Sequence, residues 1–123
     1  MLRVTTIIDT ELREGPKQAD SEEKTARGVI YIAGPIKGRA DYIERFCAAQ
    51  LKLEADGWIV LNPADLPPGM PADRYMPICL AMLQQADAIY MLPDWEASDG
   101  AKIEMQFALY QGKTICWKVE EGK

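Results

Sequence analysis

The sequence predicts one α/β domain built on a parallel sheet, and three observations favour that fold. From Val29 onward, short apolar runs alternate with longer segments of helical periodicity. The runs are rich in β-branched residues and apolar along their length, as strands buried on both faces are. The first run stops at Gly34 and Pro35, a strong turn signal. Right-handed crossovers between such strands give a doubly wound (Rossmann- or flavodoxin-like) sheet of about four to five strands flanked by helices.

The predicted elements follow one another in a regular order. The first strand is "VIYIAG", and an amphipathic helix, "RADYIERFCAAQLKLEADG", follows and ends at Gly57. The second strand is "WIVLN", and the loop after it is "PADLPPGMPADR", which is too long for a tight connection and is therefore a candidate lid. The second helix is "YMPICLAMLQQA", where Pro77 is tolerable only near the first turn. The third strand is "DAIYML", the third helix lies in "SDGAKIEMQFALYQG", and the fourth strand is "TICWKV".

The chain consists of two segments that differ in composition and periodicity. Residues 1–28 are charged and aperiodic apart from "VTTII", which can form one short strand. We predict that these residues form an N-terminal extension or linker. Two arrangements of it stay open: an edge strand added to the sheet, or contact with a second subunit. Residues 29–123 are predicted to form the α/β domain.

Composition excludes several functions. The chain has a net charge of −5 and no long basic run, so nucleic acid is not expected as a partner. It has no membrane-length apolar run or signal peptide, so we expect no membrane and a cytoplasmic location. The absence of histidine excludes histidine bases and histidine-ligated zinc. Three well-separated cysteines indicate reduced thiols rather than a metal site, and no cofactor is expected.

Glu104 is the residue that the pattern does not explain. On a helical wheel Lys102, Gln106 and Lys113 share the wet face, and Glu104 lies almost opposite them. An unpaired buried carboxylate is costly. In doubly wound folds, ligands bind outside the carboxyl ends of the strands, where the loops "GPIKGR" and "PDWEASDG" are expected. Glu104 is therefore either a paired structural glutamate or a functional one beside this crevice.

Other candidates have two readings as well. The glycine turn can cradle a phosphate with Lys37 or Arg39, or it is a plain turn with solvated cations. Tyr31 is either a core residue or a hydroxyl that reaches the crevice beside a carboxylate. Ser98 or Asp99 caps the third helix, and we favour Asp99, which leaves Ser98 to contact a sugar or phosphate oxygen.

Three stretches, "VIYIAGPIKG", "LQQADAIYMLPDW" and "SDGAKIEMQFALYQGK", together resemble the nucleoside 2-deoxyribosyltransferase superfamily. The resemblance covers about residues 29–117 and is closest to the small DUF4406 branch common in phages and prophages. It implies that Glu104 attacks the anomeric carbon of a deoxyribose and that Tyr31 hydrogen-bonds this glutamate. It also assigns a substrate pocket to Gly34, Pro35, Ile36, Ser98 and Gly100, and to this pocket we add Lys37 and Arg39, the cations of the glycine turn.

The implied function is cleavage of the N-glycosidic bond, or base exchange, on a 2'-deoxynucleoside or its 5'-monophosphate, in a homo-oligomer. One departure stands against it: Cys79 occupies the position of an aspartate that assists the leaving base in the characterised relatives, and a thiol is a poor acid. Lys102 also replaces a small residue. Two alternatives therefore stay open, a catalytically silent nucleotide-binding module and an NAD-type N-glycosidase.

Overall fold

The structure, a computed structural model, describes residues 3–7 and 27–118, and at residues 3–7 and 118 it describes the backbone. Five strands and three α-helices lie in this part of the chain. They are β1 (Arg3–Ile7), β2 (Gly28–Ala33), α1 (Tyr42–Ala55), β3 (Trp58–Leu61), α2 (Ala72–Gln84), β4 (Ala88–Met91), α3 (Asp99–Tyr110) and β5 (Thr114–Lys118). Short 3-10 turns follow β3 at Pro63–Asp65 and precede α3 at Trp95–Ala97.

The five strands form one sheet in the order β1-β5-β4-β2-β3, and each pair is parallel. The predicted doubly wound α/β fold is therefore confirmed. From β2 the chain passes through α1 to β3 on one side, and then crosses back through α2 to β4 on the other side. The strand order thus reverses between β2 and β4, and the carboxyl ends of these two strands open the crevice in which such folds bind ligands.

Helices cover both faces of the sheet. On one face α1 packs Phe46 and Leu53 against Ile30 and Ile32 of β2. On the other face α2 and α3 pack against the opposite side of β2, which includes Tyr31. Because successive strand residues point to opposite faces, Tyr31 is directed toward α2 and α3 while its neighbours face α1.

The segment before Gly28 is described in part. Strand β1 pairs with β5 at the edge of the sheet, with Val4 opposite Ile115. Residues 1–2 and 8–26 of the predicted extension lie outside the described residues.

Helix α2 differs from the prediction at its beginning. It starts at Ala72, directly after Pro71, rather than near Tyr75. Pro77 therefore lies in the second turn and not in the first, so the helix lacks one of its i to i−4 hydrogen bonds there. The earlier start brings Tyr75 into the first turn of α2, beside the crevice.

Candidate functional site

A cavity of about 770 Å³ lies at the point where the strand order reverses. Three stretches form its walls: the turn after β2, the proline-rich loop with the first half of α2, and the loop before α3 with the first half of that helix. The cavity is therefore placed by the topology of the sheet and shaped by loops, as ligand pockets of doubly wound folds are.

Glu104 and Tyr31 form a buried pair in the cavity wall. Glu104 is 6% exposed, Tyr31 is 0% exposed, and both line the cavity. The Tyr31 hydroxyl donates a hydrogen bond of 2.8 Å to Oε2 of Glu104. The burial expected of Glu104 from helix geometry is thus found, and its partner comes from a strand 73 residues earlier in the sequence.

Burial sets the protonation of this pair. It raises the pKa of Glu104 to about 7, and the hydrogen bond from Tyr31 opposes that rise. Burial, followed by the charge of Glu104, raises the pKa of Tyr31 well above its ordinary value. At neutral pH the phenol therefore keeps its proton and acts as donor, while the carboxyl group is close to half ionised.

Cys79 is the third member of the cluster. It is 6% exposed, lies on α2, and lines the cavity beside the Tyr31 hydroxyl, with which its thiol interacts. Burial raises the pKa of Cys79, the interaction with Tyr31 lowers it, and the charge of Glu104 raises it further; the net effect is upward. The thiol is therefore neutral at physiological pH, and the pair has no second carboxylate beside it at this position.

The glycine turn after β2 lies where the prediction placed it. Gly34, Pro35, Ile36 and Lys37 all line the cavity. A Cβ atom on Gly34 would lie 2.6 Å from Cδ1 of Leu92, so glycine lets the ends of β2 and β4 approach each other closely. Among the described residues that line the cavity, Lys37 is the one with a cationic side chain.

The start of α3 corrects one prediction. Ser98, not Asp99, is the N-cap: its Oγ accepts a 3.0 Å hydrogen bond from the backbone N–H of Ala101. Ser98 alone adopts the extended backbone that an N-cap requires, whereas Asp99 is already the first helical residue. The Asp99 side chain is 99% exposed at the cavity mouth, and Gly100 lines the cavity beside it.

Arg39 lies apart from the other predicted pocket residues and is not among the described residues that line the cavity. Its Nη1 is 2.7 Å from Oδ2 of Asp94, and Nη2 of Arg45 is 2.6 Å from Oδ1 of the same carboxylate. Burial raises the pKa of Asp94, but the hydrogen bond from Arg45 and its charge outweigh that effect, so the pKa is lowered overall. This ion-pair cluster ties the β2–α1 segment to the loop before α3.

Several cavity residues were missed from the sequence. Tyr75 on α2 lines the cavity, accepts a hydrogen bond from the N–H of Met70 and donates one to the carbonyl of Pro67. It thereby fastens the proline-rich loop over the site. Tyr42 and Met76 also line the wall. The signal was available in part, because a helix beginning after Pro71 places Tyr75 and Met76 one turn before Cys79.

The described residues 3–7 and 27–118 contain neither a candidate metal site nor a membrane-spanning helix. No group of three or more Cys, Asp or Glu side chains there could hold a metal ion. No helix in the same residues is long and apolar enough to cross a bilayer.

Comparison with known protein families shows the family to which the chain belongs. A family model described as "Domain of unknown function (DUF4406)" matches residues 28–117. The chain belongs to this family. The matched range contains Tyr31, Cys79 and Glu104 and all three walls of the cavity, so the site described here lies within the DUF4406 domain. No curated protein matches the chain.

Proposed function

We propose that this DUF4406 protein cleaves the N-glycosidic bond of a 2'-deoxynucleoside or 2'-deoxynucleoside 5'-monophosphate, with Glu104 as the nucleophile. The observation that carries the proposal is the buried Glu104–Tyr31 pair in the wall of a cavity large enough for a nucleotide. A structural glutamate needs a partner but does not need a cavity.

The chemistry follows from the pair. The bond from Tyr31 engages Oε2 of Glu104, so Oε1 is the oxygen available for attack on the anomeric carbon. An ionised carboxylate there stabilises an oxocarbenium-like transition state and can form a glycosyl–enzyme ester. Water then hydrolyses the ester, or a second base takes up the sugar. Since Glu104 must be ionised, kcat/KM should rise with pH through about 7.

The resemblance to the nucleoside 2-deoxyribosyltransferase superfamily supports the same assignment. It gives Glu104 the role of nucleophile and Tyr31 the role of the donor that orients it. It also assigns Ser98 and Gly100 to the sugar or phosphate and the turn at Gly34–Ile36 to the base, and these residues do line the cavity. We also propose that the protein acts in the cytoplasm as a homo-oligomer. Sedimentation as a monomer at micromolar concentration would contradict the proposed homo-oligomer.

Cys79 favours a second candidate, a catalytically silent nucleotide-binding module. Its neutral thiol occupies the place at which a carboxylic acid would assist the leaving base. Such a module would bind a nucleotide with a saturable calorimetric signal and release no product.

The test is chromatography of a panel of deoxynucleosides and their monophosphates, with and without an acceptor base. Wild type should release free base, and Glu104→Gln, which keeps an acceptor for Tyr31 but cannot act as a carboxylate nucleophile, should release roughly 10³-fold less or none. Circular dichroism of both proteins controls for folding. Base release that is equal in the two proteins would refute the proposal, and binding without release would favour the silent module.

A further inference from the structure

The cavity wall is poor in groups that can give a proton to a departing base. Among the described residues that line it, the carboxyl groups belong to Glu104 and Asp99. Glu104 is the proposed nucleophile, and Asp99 has a 99% exposed side chain at the mouth. The remaining acidic protons belong to Cys79, the tyrosines and the exposed ammonium group of Lys37. Burial raises the pKa values of Cys79 and Tyr31.

A neutral nucleoside needs such a proton. When its C1'–N bond breaks, the electron pair stays on the base, which leaves as an anion unless an acid protonates it. General acid catalysis of this kind contributes roughly 10²–10⁴-fold. A heterocycle that is already cationic when glycosylated needs no acid, because the same electron pair neutralises its charge.

We propose that the substrates of this site are N-glycosides whose heterocycle carries a positive charge, such as N7-alkylated purine or pyridinium 2'-deoxynucleosides. This inference rests on the proposed function and narrows its substrate class. The inference depends on the described residues of the cavity wall. They include one neutral thiol and one buried carboxylate–phenol pair, and no second carboxyl group among them is buried.

The proposed reaction is complete without a proton donor in the cavity wall. Oε1 of Glu104 forms a bond to C1', the C1'–N bond breaks, and the heterocycle leaves as a neutral molecule. Water then adds its oxygen to C1', the ester bond returns its electron pair to Glu104, and one proton passes to solvent. No step requires a proton from the protein.

The surroundings also favour a cationic ring. The carboxyl group of Glu104 lies in the wall, and Tyr42 and Tyr75 line the same cavity. Aromatic faces attract cations within about 6 Å of the ring centroid. Lys37 lies on the turn after β2 with its side chain exposed, where solvent screens its charge from the cavity interior.

The experiment compares matched pairs that share one sugar. Full-length wild type is given 7-methyl-2'-deoxyguanosine and 2'-deoxyguanosine, and then the 2'-deoxynucleosides of nicotinamide and of cytosine, with base release followed by chromatography. Glu104→Gln measures the spontaneous decay of the cationic compounds, which is subtracted. We expect kcat/KM to favour the cationic member by at least 100-fold in both pairs and Cys79→Ser to retain that preference, since a hydroxyl is no better an acid than a thiol.

One result would overturn the inference and leave the proposed function intact. Turnover of the neutral members within less than 100-fold of the cationic ones would mean that the wall does supply an acid, and loss of that turnover in Asp99→Asn would identify Asp99 as this acid. Release from neither class above the Glu104→Gln background would instead remove the proposed function itself, so the two failures are distinguishable.

Discussion

Replacement of Glu104 by glutamine should change the pH dependence of stability in a way that an exposed glutamate would not. In the folded protein burial raises the pKa of Glu104 from 4.5 to about 7. At 1.36 kcal/mol for each pKa unit, ionising this group costs the folded state about 3 kcal/mol more than it costs the unfolded chain.

The sign follows from the direction of the shift. Below pH 4.5 the carboxyl group is protonated in both states and imposes no penalty. Between pH 4.5 and about 7 the unfolded chain releases the proton and the folded state retains it, so the free energy of unfolding of the wild type falls. Glutamine does not titrate. The wild-type value minus the Glu104→Gln value should therefore decrease by about 3 kcal/mol from pH 4 to pH 8.

Urea unfolding at a series of pH values, followed by tryptophan fluorescence, measures this difference. Glu96→Gln is the matched control for the loss of one carboxyl group, because Glu96 is an exposed glutamate in the loop before α3. A Glu104→Gln difference that does not change with pH would refute the reasoning, since it would mean that Glu104 is solvated and not held in the cavity wall.

Three further substitutions test the supports of the site. Tyr31→Phe removes a hydrogen bond that lowers the pKa of Glu104. Hydrogen bonds to charged groups are worth about 1.5–3 kcal/mol. The pH at which Glu104 titrates in the same urea series should therefore rise by about one to two units. An unchanged titration would contradict the bond. Ser98→Ala should cost about 1 kcal/mol of stability, and Ser98→Thr much less, because the cap is lost only in the first. Gly34→Ala should destabilise by about 1–3 kcal/mol, since its Cβ would overlap Leu92, and unchanged urea unfolding would disprove that close approach.

The parts of the fold that follow local rules could be predicted from the sequence. Apolar strands and amphipathic helices fix the α/β class, because periodicity reports which side of each element is buried. The same reasoning identified Glu104, since a glutamate on the apolar arc of α3 needs an unusual environment. In the structure the Glu104 side chain is buried, with 6% of its surface exposed, as this reasoning predicts.

Contacts between distant segments were beyond local rules. Asp94 and Arg45 are separated by 49 residues, and no periodicity links them. The same holds for the placement of Arg39 with Asp94 rather than in the cavity. The choice of Ser98 over Asp99 as the cap depends on one backbone conformation, which residue preferences alone do not separate. The second-turn position of Pro77 shows tertiary packing overriding a local penalty.

The most direct test of the central claim, that Glu104 is the nucleophile, is the intact mass of the protein after incubation with 2'-fluoroarabinonucleosides of the common bases and of nicotinamide. Fluorine at C2' destabilises the oxocarbenium-like transition state, which slows hydrolysis of a glycosyl ester and lets it accumulate. We predict one added fluoro-sugar per wild-type chain, located by peptide mapping on Glu104 and missing from Glu104→Gln. An adduct on a different residue, or base release equal to the enzyme concentration with no adduct, would contradict the claim.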